Sequence, residues 1–439
     1  MTSTNISTRR VVVVHRGARD SYQVAAALAK AGLLEQLVTD LYWPNDRPWA
    51  ANVSARLPAA AQRMLERRNH PSVRGALVRQ LPLSGLSSFL LEQAKAAPFS
   101  WRRNAIRWAD STLGQAAGEL ARRTNSLLLS YSYYGYHAFQ SYGQPGVLFQ
   151  LHPHPSSVRR ILEQELADHP DCAESLRKEW ELALPAEDFD RLVVETRMAK
   201  QFLVASSFTR QTLIENGAAP EAIRVVPYGV DLDRFSPPDH TTASSGPLRL
   251  LFVGTINQRK GIKYLLEALR LLGRAPVELV VCGRVVDDLS LFEPFRHQVT
   301  VRPSVSFAEL TDAYRQADLF VFPSVAEGFA QVLLEALASG LPVLSTTHTA
   351  APDLIEEGRE GFVVEPRRPD RIAARIEWAL AHRRELRDMK FAARRRAEQF
   401  TWHRFRAGVV AAVRDFIAPI NHAAAGSSES LLRKAVEYV

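Results

Sequence analysis

Two glutamates eight positions apart, Glu327 and Glu335, stand in the stretch EGFAQVLLEALASGLPVLST, where a loop gives way to a helix. Upstream, residues 317–323 (ADLFVFP) form an apolar run of strand length, and residues 332–339 have the spacing of a helix packed on a sheet. The pair therefore falls at the carboxyl end of a strand, the side on which open α/β sheets bind ligands. Glu327 is expected on the loop and Glu335 about two turns into the helix. The N–H groups of Gly328, Phe329, Ala330 and Gln331 at that helix start lack intrahelical acceptors, and together with the helix dipole they favour a phosphate. Carboxylates for sugar hydroxyls beside a phosphate nest describe a site for a sugar nucleotide. A plainer reading of the same residues is an ion-paired Glu335 and a solvated Glu327.

A second set of candidates lies upstream of the pair. Residues 248–253 (LRLLFV) read as a strand that runs into Gly254 and Thr255, and Arg259 and Lys260 stand just before Gly261. Fixed cations at the end of such a loop can stabilise a departing diphosphate, because negative charge builds on the leaving oxygen as the glycosidic bond breaks. Two solvated bases at a capped helix start are the alternative. In the first half, a strand at residues 10–14 leads through a loop containing Gly17 to an alanine-rich helix at residues 22–30, the opening of a βαβ unit. The G-x-G-x-x-G fingerprint is missing there, which argues against a dinucleotide enzyme. A strand at residues 146–151 ends at His152, with His154 two residues on as a competitor; Glu195 and Arg197 are weaker candidates for the same region.

These elements require two domains, and a chain of 439 residues has room for both. Strand and helix alternate through residues 277–282, 319–322 and 343–345, as in a parallel sheet covered by helices on both faces. Proline, glycine and serine concentrate at 229–247, read as a linker between a first domain at 1–228 and a second at 248–400. A last helix is expected over 401–422 and a loosely ordered tail over 423–439.

The two cysteines, Cys172 and Cys282, form no C-x-x-C pair, so neither a disulfide framework nor a structural zinc site is expected, and a reducing cytoplasm is the simplest compartment. The amino terminus shows no signal or membrane segment. Asp231-Leu232-Asp233 matches a metal-binding D-x-D but sits in linker context and reads as turn chemistry, and Asp287-Asp288 has no further hard ligands nearby. No metal is expected. The net charge of +8 is concentrated: ten bases between Arg56 and Arg107 face only Glu66, Glu92 and Asp110. Interleaved Trp101, Ile106 and Trp108 make the stretch amphipathic, which suits an anionic membrane surface or a phosphate-bearing acceptor, or else a solvated helical face. No nucleic-acid module is present.

The segments EGFAQVLLEALASGLPV, LLFVGTINQRKGIKYLLEAL and AIRVVPYGVDLDRF together resemble the retaining GT-B glycosyltransferases of the large family 4 group, over roughly residues 195–415. The resemblance is weak over the first 190 residues, the part that would select the acceptor. It implies an α/β GT-B fold: two Rossmann-like doubly wound domains facing a cleft, with the last helix crossing back to the first. It also implies roles. Lys260 would act on the diphosphate, Glu335 would bind the ribose, Glu327 would approach the transferred sugar and His152 would stand beside the anomeric carbon. Gly254, Thr255, Gly328, Phe329, Ala330 and Gln331 would bind the donor, and Gly17 the acceptor. Departures occur at Thr255, where the family has arginine and for which Arg259 is the proposed substitute; at Gly17, alone where the family has a glycine pair; and at Ala330, often glycine. No cofactor is implied; the co-substrate would be a UDP- or GDP-sugar, and the acceptor a glycan or lipid-linked molecule of surface polysaccharide synthesis at the inner membrane face. Transfer would proceed without metal, the acceptor attacking on the face the nucleotide leaves and the phosphate taking its proton. A sugar-nucleotide epimerase of similar architecture and a catalytically silent binding protein are the alternatives.

Overall fold

A computed structural model describes residues 9–58, 62, 65–82, 99–238, 246–286 and 288–418. The expected tail at 423–439, Asp287, the middle of the proline–serine linker (239–245) and the part of the basic stretch that holds Glu92 and Lys95 lie outside the described residues.

Seven parallel strands form the first sheet: β1 (Val11–Val14), β2 (Leu34–Thr39), β3 (Val78–Gln80), β4 (Leu127–Tyr131), β5 (Val147–Gln150), β6 (Gln201–Val204) and β7 (Ile223–Val225), in the order β3-β2-β1-β4-β5-β6-β7. The second sheet has six, β8 (Leu248–Val253), β9 (Val277–Cys282), β10 (Val299–Arg302), β11 (Leu319–Phe322), β12 (Val343–Thr346) and β13 (Gly361–Val364), in the order β10-β9-β8-β11-β12-β13. All pairs are parallel. The central strands are apolar throughout because helices cover both faces: all four valines of β1 and all four residues of β11 are buried. The chain order reverses between β1 and β4 in one sheet and between β8 and β11 in the other. A crevice opens at the carboxyl ends of strands at such points. The loops after β1, β5, β8 and β11 are the ones that meet.

The helix Trp402–Ile417 packs on the first domain, against Gln23–Lys30. Thr401 caps it, its side chain accepting the Arg404 N–H at 3.2 Å. Phe405, Val409, Ala412, Val413 and Phe416 recur at helical spacing and are buried in the first core. A fully buried side chain of the Val or Phe kind stabilises by about 1.5–3 kcal/mol, so this stripe suffices to hold the helix on a domain remote from it in sequence. Where the chain leaves the second domain, Val230 and Thr401 pair in an isolated parallel bridge. The described part of the 229–247 stretch is packed: Val230 and Phe235 are buried against the second core. No helix among the described residues is long and apolar enough to cross a membrane.

Candidate functional site

The loop after β8 turns twice through glycine. Gly254 ends the strand at φ 155°, and a Cβ on Gly283 would lie 1.9 Å from its carbonyl oxygen. Asn257 then caps a short turn, Gln258–Lys260, by accepting the Lys260 N–H at 3.2 Å. Gly261 closes it at φ 74°, where a Cβ would fall 2.0 Å from the Pro323 carbonyl oxygen. Only glycine fits both that angle and that contact, so the loop after β11 lies directly against the residue following Lys260. Ser324 Oγ and the Val325 N–H both donate to the Arg259 carbonyl at 3.0 Å, tying the two loops together.

On the second loop, the Glu327 N–H donates to the His348 carbonyl at 2.9 Å, and its carboxylate accepts from Lys260 Nζ. The two residues the sequence singles out separately thus form one ion pair. Burial and the neighbouring Arg259 charge bring Lys260 down to about 7, while Glu179 and Glu181 oppose this. Beyond Glu327 the chain enters the helix Gln331–Ala338 through Ala330, held at φ 64°, an angle that glycine adopts at lower cost. Among the described residues, none of the N–H groups of Gly328, Phe329, Ala330 and Gln331 finds an acceptor in the protein. Glu335 lies on the next turn, one carboxylate oxygen accepting from Tyr314 Oη at 2.9 Å. Burial raises its pKa, against the Tyr314 hydrogen bond and the Arg234 charge. Gly254 and Thr255 are half-buried at the strand end.

The first domain closes over this arrangement. A Cβ on Gly328 would lie 2.1 Å from the Leu151 carbonyl oxygen, and the Gly328 carbonyl accepts from Ser206 Oγ and from Thr209 Oγ1, the latter at 3.2 Å. Gln331 Nε2 donates to the Gly229 carbonyl at 2.6 Å, and Phe329 meets the Tyr228 ring edge-on at 5.2 Å. Between the domains lies a cavity of about 410 Å³, lined by Arg19, Asp20, His152 and Tyr228 on one side and by Glu327, Phe329, Ala330 and Gln331 on the other.

The two histidines have different surroundings. His154 Nδ1 accepts the Ser156 N–H at 3.2 Å, its Nε2 lies 3.1 Å from Thr196 Oγ1, and its backbone N–H donates to Thr212 Oγ1 at 2.9 Å, so it caps the helix Pro155–Asp168. His152 lines the cavity, and its buried Nδ1 has no partner. Burial, assisted by Arg259, Arg19 and Lys260, pushes it down to about 3, so the ring is neutral. Glu195 accepts the N–H groups of Tyr133 at 2.8 Å and Gly135 at 3.0 Å, starting the helix Gly135–Tyr142 rather than facing the cavity. Asp231 accepts the N–H groups of Asp233 and Arg234, both at 3.1 Å, as a turn residue does.

Arg259 requires a correction. Proposed from sequence as the cation that replaces an arginine at Thr255, it is already spent: Nη1 donates to Glu179 at 2.9 Å and to Glu181 at 3.1 Å, and Nε to the Ala326 carbonyl at 3.2 Å. Its side chain is 9% exposed. Gly17, at φ 73°, donates its N–H to Asp40 at 2.9 Å. The loop beyond it carries two cavity residues that sequence reading passed over, Arg19 and Asp20. Asp20, Ser21 and Tyr22 are consecutive left-handed residues, φ 42°, 51° and 63°, none of them glycine. Tyr131 Oη at 2.9 Å and the Val24 N–H at 3.2 Å hold one Asp20 oxygen, the other is buried without a partner, and burial raises the acid to about 7. Such strain concentrates at ligand sites, but nothing in a run R-D-S-Y announces it.

Two facing Rossmann-like domains with parallel sheets, their switch-point loops meeting across a charged cleft, constitute the GT-B architecture. Residues 238–396 match the family described as glycosyl transferases group 1. Across 245 residues the chain is 36% identical to a D-inositol 3-phosphate glycosyltransferase of Geodermatophilus obscurus, covering 51% of this chain and 52% of the relative. The chain spans about half the length of the curated relatives it matches. Among solved structures, the sucrose-phosphate synthase from Thermosynechococcus elongatus superimposes with a TM-score of 0.63 at 17% identity, over 93% of this chain and 99% of that one. Anabaena HepE, solved in complex with UDP-glucose, gives 0.57 at 16% identity, over 93% and 100%. These likenesses establish the fold.

Proposed function

We propose that this protein is a retaining, metal-independent glycosyltransferase that takes a sugar from a UDP- or GDP-sugar to a glycan or lipid-linked acceptor of cell-surface polysaccharide synthesis. The observation that carries the reading is an interdomain cavity lined by Glu327 and by Phe329, Ala330 and Gln331, whose helix-start N–H groups have no protein acceptors, with Lys260 paired to Glu327 and with Glu335 on the same helix. A diphosphate placed on those donors would draw Lys260 away from Glu327. That exchange leaves the Glu327 carboxylate for a sugar hydroxyl and raises the Lys260 pKa, since an opposite charge nearby favours the ammonium. His152, neutral, offers its ring to the sugar on the other side. The matched family and the relative from Geodermatophilus support transfer as the reaction class, and HepE's UDP-glucose supports a nucleotide sugar as donor.

A panel of UDP- and GDP-sugars scored by shift in melting temperature tests the donor, because a ligand bound to the folded state raises apparent stability. Glu335→Ala is expected to weaken the stabilising nucleotide sugar about tenfold or more. A hydroxyl bound to a charged acceptor contributes about 1.5–3 kcal/mol, and each 1.4 kcal/mol is about a factor of ten. Glu335→Gln, which keeps a partner for Tyr314, separates lost binding from lost packing. Unchanged affinity in both variants removes Glu335 from the donor site.

The basic surface supports attachment to anionic membranes, although with fewer free charges than a linear count suggests. Arg68 pairs with Asp40 at 3.1 Å, Arg103 with Asp188 at 3.6 Å and Arg107 with Glu187 at 3.0 Å. Trp49, Trp101 and Trp108 remain half or more exposed, as interfacial aromatics would be. Sedimentation with liposomes is expected to recover more protein with anionic than with neutral vesicles, less so at high salt, given about 1 kcal/mol per base near the surface and screening over about 8–10 Å. Equal recovery with both vesicle types at low salt would rule out this attachment.

A further inference from the structure

The loop that carries Lys260 is gripped from the first domain. Glu179 and Glu181, in the connection between β5 and β6, take the Arg259 guanidinium; Glu179 also accepts from Asn257 Nδ2 at 2.6 Å, and Asn257 is the residue that caps the turn ending at Lys260. Glu165, fully buried on the helix Pro155–Asp168, binds the next residues of the same segment, accepting from Gln258 Nε2 at 2.9 Å and from Tyr264 Oη at 3.0 Å. Arg367 Nε also donates to Glu165.

We propose that Arg259, Glu179 and Glu181 form a bolt between the domains that presents Lys260 to the ligand, so that Arg259 is a positioning residue and not a phosphate contact. The proposal rests on the reading of Lys260 as the diphosphate cation. Its physical content is a balance of charge. Lys260 is faced by Glu327, by the Phe322 ring at 5.9 Å, by Arg259 beside it in the chain, by Glu179 and Glu181, and by the neutral His152. Burial first and the Arg259 guanidinium second favour the neutral form of Lys260, and Glu179 and Glu181, which come from the first domain, oppose both.

Two substitutions with opposite signs test this. Glu181→Gln leaves the Arg259 charge less compensated, so the alkaline limb of kcat/KM, which reports groups of the free enzyme, should move to lower pH by about one unit. Arg259→Gln removes the charge and should move that limb upward. A purely structural loss would lower the rate without moving the limb in opposite directions, and that result overturns the proposal. Amide hydrogen exchange provides a readout independent of enzyme activity: residues 257–264 should exchange faster in both variants without any ligand, and unchanged protection there would also overturn it. If Lys260→Ala leaves transfer intact while the exchange result holds, it is the functional reading of Lys260 that fails, and the bolt stands.

Discussion

Replacing Lys260 with alanine is expected to lower sugar transfer by about two orders of magnitude or more, the scale of losing one preorganised electrostatic contact to a developing negative charge. The expectation comes from place as well as charge. Lys260 is fixed by the Asn257 cap before it and by Gly261 after it, and its amine reaches the second candidate loop at Glu327. The substitution also leaves Glu327 without its cation, so affinity for the nucleotide sugar should fall along with turnover. Steady-state kinetics of the variant, with and without EDTA, checks both halves. Transfer that survives the substitution would remove Lys260 from the diphosphate role, and transfer that stops in EDTA and returns with magnesium or manganese would sink the metal-independent mechanism.

Gly328→Ala should be nearly as damaging, for a different reason. Gly328 is not in the left-handed region, so an added methyl costs nothing in backbone angle; it meets the Leu151 carbonyl oxygen at 2.1 Å and the His152 Cα at 3.1 Å. Neither contact is the soft end of a side chain. The two domains must part by an ångström or so, and a misplacement of about 1 Å at a reacting centre can cost about a hundredfold in rate. The Ser206 and Thr209 hydroxyls would also lose the Gly328 carbonyl. A drop in kcat of that order, with nucleotide affinity of the second domain largely retained, is the expected pattern. Normal transfer by the variant would show that the domains work at a wider separation than the one described.

Much of the fold was readable in the chain. The strands β1, β8, β9, β11 and β12 are rich in valine, leucine and phenylalanine and nearly wholly buried, so apolar runs reveal them. β2 is interrupted by Glu35 and Gln36, and β3 and β10 are sheet edges with arginine in the ladder, whose half-buried pattern carries little signal. The site divides the same way. Arg259, Lys260 and Gly261 are one local motif, and Glu327 and Glu335 are another. The Arg259 partners lie about eighty residues away in a segment of ordinary polar sequence, so charge alone suggested a phosphate contact where two carboxylates already stood. His152 is the candidate from sequence and His154 its competitor; Thr196, Thr212 and Ser156, which hold His154, come from elsewhere in the fold or from the helix it caps.

The isolated bridge between Val230 and Thr401 bears on how such a molecule could move. A single tether would let one half spin as well as swing. Two tethers running side by side and joined by a rung behave as a door hinge: they bend together but resist torsion, because twisting would have to shear the rung. A domain opening about such a hinge would follow one arc, and closing would return Leu151 to Gly328 in the same register each time. Cutting the rung should therefore broaden the range of closed orientations more than it changes how often the halves meet.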